Sequence, residues 1–131
     1  MTYESNHPDF PIDWHDLFVR IDNEQIIVEF ARSFAKNGEK IMSSLQQAVA
    51  GGDPEEMELY AHALKGSASN IGAVWLAKTC WQLEKTAAEK QVEKAVELFK
   101  KITSEYTALK TLLEKPDWVQ KAKDASSVKF W

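Results

Sequence analysis

The amino-acid sequence predicts an all-α protein, an antiparallel up-and-down four-helix bundle with a short N-terminal capping helix. Apolar residues recur every three or four positions along four long segments, and glycine and proline are scarce inside those segments. No stretch alternates polar and apolar residues with the period of two that a half-buried strand requires. Because short connections join the four segments, neighbouring helices are expected to run antiparallel. At 131 residues, the chain has material for one domain with a single core.

The first predicted element is a short helix that follows an irregular lead-in. Residues 1–12 contain Pro8 and Pro11 and show no apolar periodicity, which is typical of irregular structure. Asp13 is placed to cap a helix whose apolar residues are Trp14, Leu17, Phe18 and Ile21. We expect this helix to close one end of the bundle by covering apolar residues of the next helix, among them Ile26, Ile27 and Phe30.

The first long helix is predicted over residues 23 to 50, with Asp22 or Asn23 as its cap. Its apolar positions are Ile27, Phe30, Phe34, Ile41, Leu45 and Ala48. This spacing continues across Gly38, so we expect one helix that has its weak point, and any kink, at Gly38. A break into two helices there is the alternative, because glycine inside a helix costs about 1 kcal/mol relative to alanine.

The second long helix is bounded by clear stop signals. In Gly51-Gly52-Asp53-Pro54, glycine ends the preceding helix, Asp53 caps the next one, and proline takes the first helical position, where it loses no hydrogen bond. The helix is predicted to run to about Ile71, with Gly72 as its C-terminal stop.

Two more helices are predicted over about 73 to 90 and 92 to 113, and Pro116 ends the second of them. Their inward residues are Ala73, Leu76, Cys80, Leu83 and Ala87 in the first helix and Val92, Val96, Phe99, Ile102, Tyr106, Leu109 and Leu113 in the second. We therefore assign residues 13–115 to the bundle. Residues 116–131 are assigned to a C-terminal extension, for which we expect a short helix and a frayed tail.

The second long helix carries the most informative sequence, His62-Ala63-Leu64-Lys65-Gly66 followed by Gly72-Ala73. Positions i, i+3, i+4 and i+7 share one face of a helix, so one stripe consists of His62, Lys65, Gly66 and Ser69. The nearly opposite stripe consists of Met57, Tyr60, Ala61, Leu64, Ala68 and Ile71. The apolar stripe is expected to enter the core, which leaves His62 facing solvent beside a cation and a residue without a side chain.

This motif resembles that of the histidine-containing phosphotransfer (HPt) domains of bacterial multistep phosphorelays, in which His-x-x-Lys-Gly is followed by Gly-Ala or Gly-Leu. The resemblance covers roughly residues 13–114, because the flanking helices also fit. It implies a phosphocarrier in which His62 takes a phosphoryl group from a receiver-domain aspartate and passes it to another. The implied partners are receiver domains of a hybrid sensor kinase and a response regulator. No cofactor is implied for the chain itself, because Mg²⁺ is expected on the partner receiver domain only.

An exposed imidazole suits that chemistry because its unperturbed pKa of about 6.5 leaves a neutral, nucleophilic nitrogen near neutral pH. A group that accepts a hydrogen bond from Nδ1–H would direct the Nε2 lone pair outward. Since the second and third long helices turn back near Gly72, residue 84 lies at the height of His62. That residue is Glu84, and we predict a His62–Glu84 contact, which the resemblance supports. A solvated surface glutamate is the alternative.

Lys65 and Gly66 are the other candidates at this site. Lys65 is expected to lie beside the transferred group and attract its oxygens, the alternative being an ordinary solvated lysine. Gly66 is costly inside a helix, so its presence suggests that a partner or the phosphoryl group comes close, and tight helix packing is the alternative. We expect a modest, transient docking surface formed by Leu59, Ala63, Gly66, Ser69 and Asn70.

Composition excludes several other functions. The formal net charge is −4 without a basic cluster, which argues against nucleic-acid binding. No run approaches the about 18 apolar residues of a membrane span, and the first residues lack the order of a signal peptide, so we expect a cytoplasmic monomer. His7 and His15 have no second metal ligand at helical spacing, and no metal site is expected. The single cysteine, Cys80, is expected in the core.

Two other functions compete with the phosphocarrier. A helical adaptor would keep the bundle without phosphotransfer, but the intact His62, Lys65 and Gly66 speak against it. A histidine-dependent phosphohydrolase would need further cations or acids around His62, and the only arginines, Arg20 and Arg32, are far from the motif in sequence. The sequence also lacks a glycine-rich nucleotide loop or kinase motif, so we expect a carrier that neither binds ATP nor phosphorylates itself.

Overall fold

The computed structural model describes residues 10–128, and every regular element in that range is a helix. The helices are α1 (Trp14–Ile21), α2 (Glu24–Ala50), α3 (Pro54–Asn70), α4 (Val74–Ala88), α5 (Val92–Leu113) and α6 (Trp118–Val128). Most of the predicted lead-in, including His7 and Pro8, and the end of the predicted tail lie outside the described residues. None of the helices in the described range is long and apolar enough to cross a bilayer.

Helices α2 to α5 form the predicted antiparallel bundle. Helix α3 packs between α2 and α4, and α5 packs against both α4 and α2, so α3 and α5 are diagonally opposite. Each helix contributes an apolar stripe to one core, with Ile27, Leu45, Leu64, Leu83 and Ile102 fully buried. The prediction of an all-α bundle with a short N-terminal helix is confirmed.

Side-chain caps explain where three of the helices begin. Asp13, Asn23 and Asp53 each accept a hydrogen bond from the backbone N–H three residues further on, which satisfies one of the free donors at a helix start. Gly72 marks the turn between α3 and α4 with a φ of 70°, in the left-handed region. Its carbonyl accepts from the Asp13 backbone N–H at 2.9 Å, so this turn also anchors the start of α1.

Helix α2 runs without a break through Gly38, so the alternative of two helices is wrong. Gly38 is buried against α5, where a Cβ atom would lie 2.8 Å from the ring of Tyr106. The Tyr106 hydroxyl also approaches the Ala35 carbonyl at 3.5 Å. Gly38 therefore allows the close approach of a tyrosine ring.

The expectation that α1 covers the start of α2 is only partly correct. Trp14, Leu17 and Ile27 are buried as expected. Ile26 and Phe30, which were expected to be covered, remain 39% and 43% exposed, and Phe18 is also exposed. The reason is length: α1 has eight residues, about two turns, and presents a single buried face.

Helix α6 packs against α1. The Trp14 and Trp118 rings meet edge to face with centroids 6.3 Å apart. Lys123 lies over the Trp14 ring at 5.7 Å and pairs with Glu24 at 2.6 Å. This packing fixes α1 beside the bundle, and α1 in turn reaches the end of α3.

Candidate functional site

Helix α3 presents His62 to solvent. Met57, Ala61, Leu64 and Ala68 on its inner face are fully buried, whereas the side chain of His62 is 66% exposed. The predicted division of α3 into an apolar inner stripe and an outward stripe is therefore correct. The division follows from the 3.6-residue period of the helix. Ala61 and Leu64 point into the core, and His62, between them in sequence, points to solvent.

Glu84 on α4 holds the imidazole. Its Oε2 lies 2.8 Å from His62 Nδ1, as the height of the two residues above the Gly72 turn predicts. An ionised carboxylate only accepts hydrogen bonds, so Nδ1 carries the proton in this contact. The lone pair of the neutral ring then resides on Nε2, the nitrogen further from α4. A nucleophilic nitrogen is thus available on an exposed ring.

The second oxygen of Glu84 binds Lys65. Lys65 Nζ lies 2.7 Å from Oε1, and both side chains are half-buried. Burial acts to raise the pKa of Glu84, but the hydrogen bonds and charges of Lys65 and His62 outweigh burial and lower that pKa below its ordinary value. Glu84 is therefore an anion near neutral pH.

The position of Lys65 differs in one respect from the sequence expectation. Its ammonium group is bound to the carboxylate that holds His62, so it is neither a solvated lysine nor a cation pointing free into solvent. An ammonium has three donors, and one of them is used here. A direct contact between Lys65 and a phosphoryl group stays a prediction.

Gly66 lies in open space. A Cβ atom at this position would have no neighbour within 4 Å, so the alternative that Gly66 permits tight helix packing is wrong. The other four residues of the expected docking surface are also exposed: Leu59, Ala63, Ser69 and Asn70. The surface around His62 consequently has few protruding side chains, because most of its residues are small.

Two further residues, Arg20 and Trp81, lie near this face, and sequence reasoning missed the first of them. The Arg20 guanidinium donates to the Ser69 carbonyl at 3.2 Å and binds Asp16 at 3.1 Å, which brings an arginine of α1 to the end of the motif helix. Trp81 on α4 is 49% exposed and borders a groove that also contains Lys65 and Ser69. The only sequence signal for Arg20 was its spacing of four from Asp16, which also occurs in ordinary surface pairs.

The thiol of Cys80 is not part of the site. Cys80 is buried, and burial is the main reason why its pKa rises to about 12, so the thiol is protonated and unreactive at neutral pH. Its predicted place in the core is confirmed. Within residues 10–128, no three histidine, cysteine, aspartate or glutamate side chains come together as a potential metal site.

Comparison with known proteins agrees with this geometry. The Hpt domain family model matches residues 29–114, which includes His62, Lys65 and Glu84 but neither α1 nor α6. The crystal structure of histidine-containing phosphotransfer protein B (HptB) from Pseudomonas aeruginosa PAO1 is similar with a TM-score of 0.73. The similarity covers 90% of this chain and 98% of that one at 24% identity, and it supports the fold.

A curated relative is the pseudo histidine-containing phosphotransfer protein 1 of Oryza sativa subsp. japonica, which is 29% identical over 90 residues. The match covers 67% of this chain and 48% of the relative, so the chain spans about half the length of that protein. Because the family model alone matches well over half of the sequence, the chain belongs to the Hpt domain family.

Proposed function

We propose that this chain is a phosphocarrier that relays a phosphoryl group between receiver-domain aspartates through Nε2 of His62. The observation that carries the proposal is the exposed imidazole whose Nδ1 is held by Glu84 at 2.8 Å. Membership of the Hpt family supports the same function. The word "pseudo" in the name of the rice relative applies to that protein, and this chain has a histidine at the motif position.

The reaction uses the groups on α3 and α4 as follows. The Nε2 lone pair attacks the phosphorus of a phosphoaspartate in line, the N–P bond forms, and the bond from phosphorus to the aspartate oxygen breaks to leave a carboxylate. The proton stays on Nδ1, so the phosphorylated ring gains positive charge, which the Glu84 carboxylate offsets. In the second half-reaction, another aspartate carboxylate attacks phosphorus and Nε2 leaves with its electron pair.

Lys65 keeps Glu84 oriented and neutralises the excess negative charge as the phosphoryl group approaches. Without Lys65, the Glu84 carboxylate would repel the phosphoryl oxygens that must come close to His62. The low surface around Gly66 lets the face of a receiver domain reach Nε2. Mg²⁺, where the transfer needs it, is supplied by the receiver domain.

The proposal describes a carrier without kinase or nucleotide-binding activity of its own, acting as a monomer in the cytoplasm. The charged groups on this side of α3 support a carrier rather than a phosphohydrolase. Lys65 is engaged by Glu84, and Arg20 is engaged by Asp16 and the Ser69 carbonyl. None of these contacts places a free cation or acid against Nε2 to activate water.

The direct test is incubation of the chain with a radiolabelled phosphorylated receiver domain, followed by acid and base treatment. We expect acid-labile, base-stable label on the wild type and none on His62→Gln. His15→Gln, which alters an exposed histidine on α1, is the matched control and should accept label normally. Label that persists on His62→Gln refutes the proposal. A wild type that never accepts label from receivers of the same genome indicates the adaptor, and rapid release of inorganic phosphate indicates the hydrolase.

A further inference from the structure

The C-terminal end of α3 is held by a side chain of a neighbouring helix. The last turn of α3 contains no basic residue, although a donor there would bind the carbonyls that a helix end leaves without helical partners. Arg20 of α1 supplies that donor, because its Nη2 donates to the Ser69 carbonyl at 3.2 Å. The same carbonyl accepts from the Gly72 backbone N–H at 3.1 Å. Arg20 and the turn after α3 thus meet at one oxygen atom.

Arg20 is itself held in position by Asp16, four residues earlier on α1. Its Nε donates to the Asp16 carboxylate at 3.1 Å. Because the guanidinium is a rigid planar fork, binding through Nε fixes the direction of the Nη groups. Asp16 also offsets the charge of Arg20, so the contact with Ser69 acts as a directed hydrogen bond and brings no net positive charge to this face.

Contacts at both ends of α1 join it to the turn between α3 and α4. At the start of α1, the Asp13 backbone N–H donates to the Gly72 carbonyl at 2.9 Å. The approach is close, since a Cβ atom on Gly72 would lie 3.1 Å from the Asp13 carbonyl oxygen and 3.5 Å from Leu17 Cβ. Near the end of α1, Arg20 makes the second contact. Helix α1 is therefore placed to determine where the last turn of α3 lies.

That last turn carries part of the expected docking surface but not the reactive ring. Ser69 and Asn70 are exposed and end α3, whereas His62 lies about two turns earlier. The imidazole is held separately by Glu84 on α4. Displacement of the last turn would consequently alter the docking surface and leave the orientation of the imidazole unchanged.

We propose that Arg20 is a positioning residue for phosphotransfer, which acts by holding the Ser69 carbonyl and so keeps the last turn of α3 in place for a receiver domain. The inference rests on the proposed function and adds to it a residue of α1. Arg20 lies outside residues 29–114, so the family model does not describe it. Its effect passes through the backbone of α3 to Ser69 and Asn70, and the chemistry at His62 does not depend on it.

The first test compares two phosphodonors on Arg20→Met, which keeps an unbranched stem and removes the donors. One is a phosphorylated receiver domain that labels the wild type, and the other is phosphoramidate, which is too small to need a docking surface. We expect KM for the receiver to rise about two- to fivefold, the effect of losing one exposed hydrogen bond at a helix end. The rate of labelling by phosphoramidate should equal that of the wild type. Arg20→Lys keeps a donor without the planar fork and should give an intermediate KM.

The second test measures the contact itself by amide hydrogen exchange of Gly72, whose N–H shares the Ser69 carbonyl with Arg20. Exchange at Gly72 should accelerate about two- to fivefold in Arg20→Met, because the end of α3 opens more readily. The matched control is Arg32→Met, which changes an exposed arginine of α2. It should leave both KM and the exchange at Gly72 unchanged.

An unchanged KM for the receiver in Arg20→Met would overturn the inference while the proposed function stands. An equal loss of rate with the two donors would also overturn it, because Arg20 would then act on the imidazole or on the fold as a whole. A raised KM with unchanged exchange at Gly72 would assign the effect to direct contact with the receiver and overturn the positioning role. Failure of the wild type to accept label from either donor would instead remove the proposed function, and the inference with it.

Discussion

The carboxylate of Glu84 lies between His62 and Lys65, with one oxygen 2.8 Å from the imidazole Nδ1 and the other 2.7 Å from the ammonium Nζ. Two residues of α3 that are one helical turn apart thus share a single anion on α4. This arrangement orients the ring and also balances the charge beside it. The lysine of the motif is thus linked to its histidine through this carboxylate even when no phosphoryl group is present.

Removal of the Glu84 carboxylate should slow phosphotransfer. We expect Glu84→Ala to lower the single-turnover rate from a phosphorylated receiver about 10- to 100-fold, as loss of a partner that orients a histidine does at other sites. Rapid-quench kinetics measures this rate. Glu97→Ala, which removes an exposed glutamate of α5, is the control. A Glu84→Ala variant as fast as the control would show that the ring needs no orientation.

The contribution of Glu105 on α5 to the free energy of unfolding should change with pH in the opposite direction to that of a paired surface carboxylate. Burial raises its pKa, although a hydrogen bond with Thr79 and the charge of Lys101 act in the other direction. A raised pKa means that the folded state holds the Glu105 proton more tightly than the unfolded chain does. The folded state therefore loses stability as the pH rises from the ordinary pKa of about 4.3 through the raised pKa of the folded state. Urea denaturation of Glu105→Gln should therefore give a higher free energy of unfolding than the wild type at pH 7.

That gain for Glu105→Gln should shrink towards zero as the pH approaches about 4, where the glutamate is itself protonated. For Glu84, whose folded-state pKa is lowered, the sign is reversed: its ionised form favours folding at neutral pH, and this contribution is lost as pH falls. A Glu105→Gln variant that is less stable than wild type at pH 7 would contradict this assignment.

Gly66→Ala should separate stability from function. A Cβ atom meets nothing within 4 Å, and alanine is favoured over glycine inside a helix, so the free energy of unfolding should rise by about 1 kcal/mol. The added methyl group would stand on the proposed docking surface, so the transfer rate from a receiver should fall. Urea denaturation and transfer kinetics on the same variant measure both. Transfer at the wild-type rate would mean that Gly66 is dispensable for docking.

Gly38→Ala makes the same chemical change on α2 and should have the opposite effect on stability. The new Cβ atom would lie 2.8 Å from ring atoms of Tyr106, which is held in the core, so the free energy of unfolding should fall by about 1–3 kcal/mol. In a protein that already carries Tyr106→Leu, which removes the ring, Gly38→Ala should lower the free energy of unfolding by less. Additive losses in this double-mutant cycle would argue against the steric explanation.

Much of the bundle and the central contact of the site could be predicted from the sequence. Apolar periodicity determines which way each helix faces, and the Gly72 turn determines which residues of α3 and α4 share a height, so the His62–Glu84 contact follows by counting. The binding of Lys65 to the same carboxylate was not predicted. Its long side chain can reach several partners, and periodicity does not choose among them.

The parts that escaped prediction depend on how short helices dock. Arg20 and Ser69 are 49 residues apart, and their contact requires the actual placement of α1 against the end of α3. The exposure of Phe30 and the depth of the groove beside Trp81 depend on the same placement. Hydrophobic patterns do not encode crossing angles closely enough to give such contacts.

We propose above all that Glu84 keeps the proton on Nδ1, so that Nε2 of His62 becomes phosphorylated. Two-dimensional ¹H–¹⁵N NMR of the imidazole, recorded before and after incubation with a phosphorylated receiver, tests it most directly. We expect a proton on Nδ1 in the unmodified ring and an N–P bond at Nε2 after the incubation. Phosphorylation at Nδ1, or a neutral ring with its proton on Nε2, would contradict it.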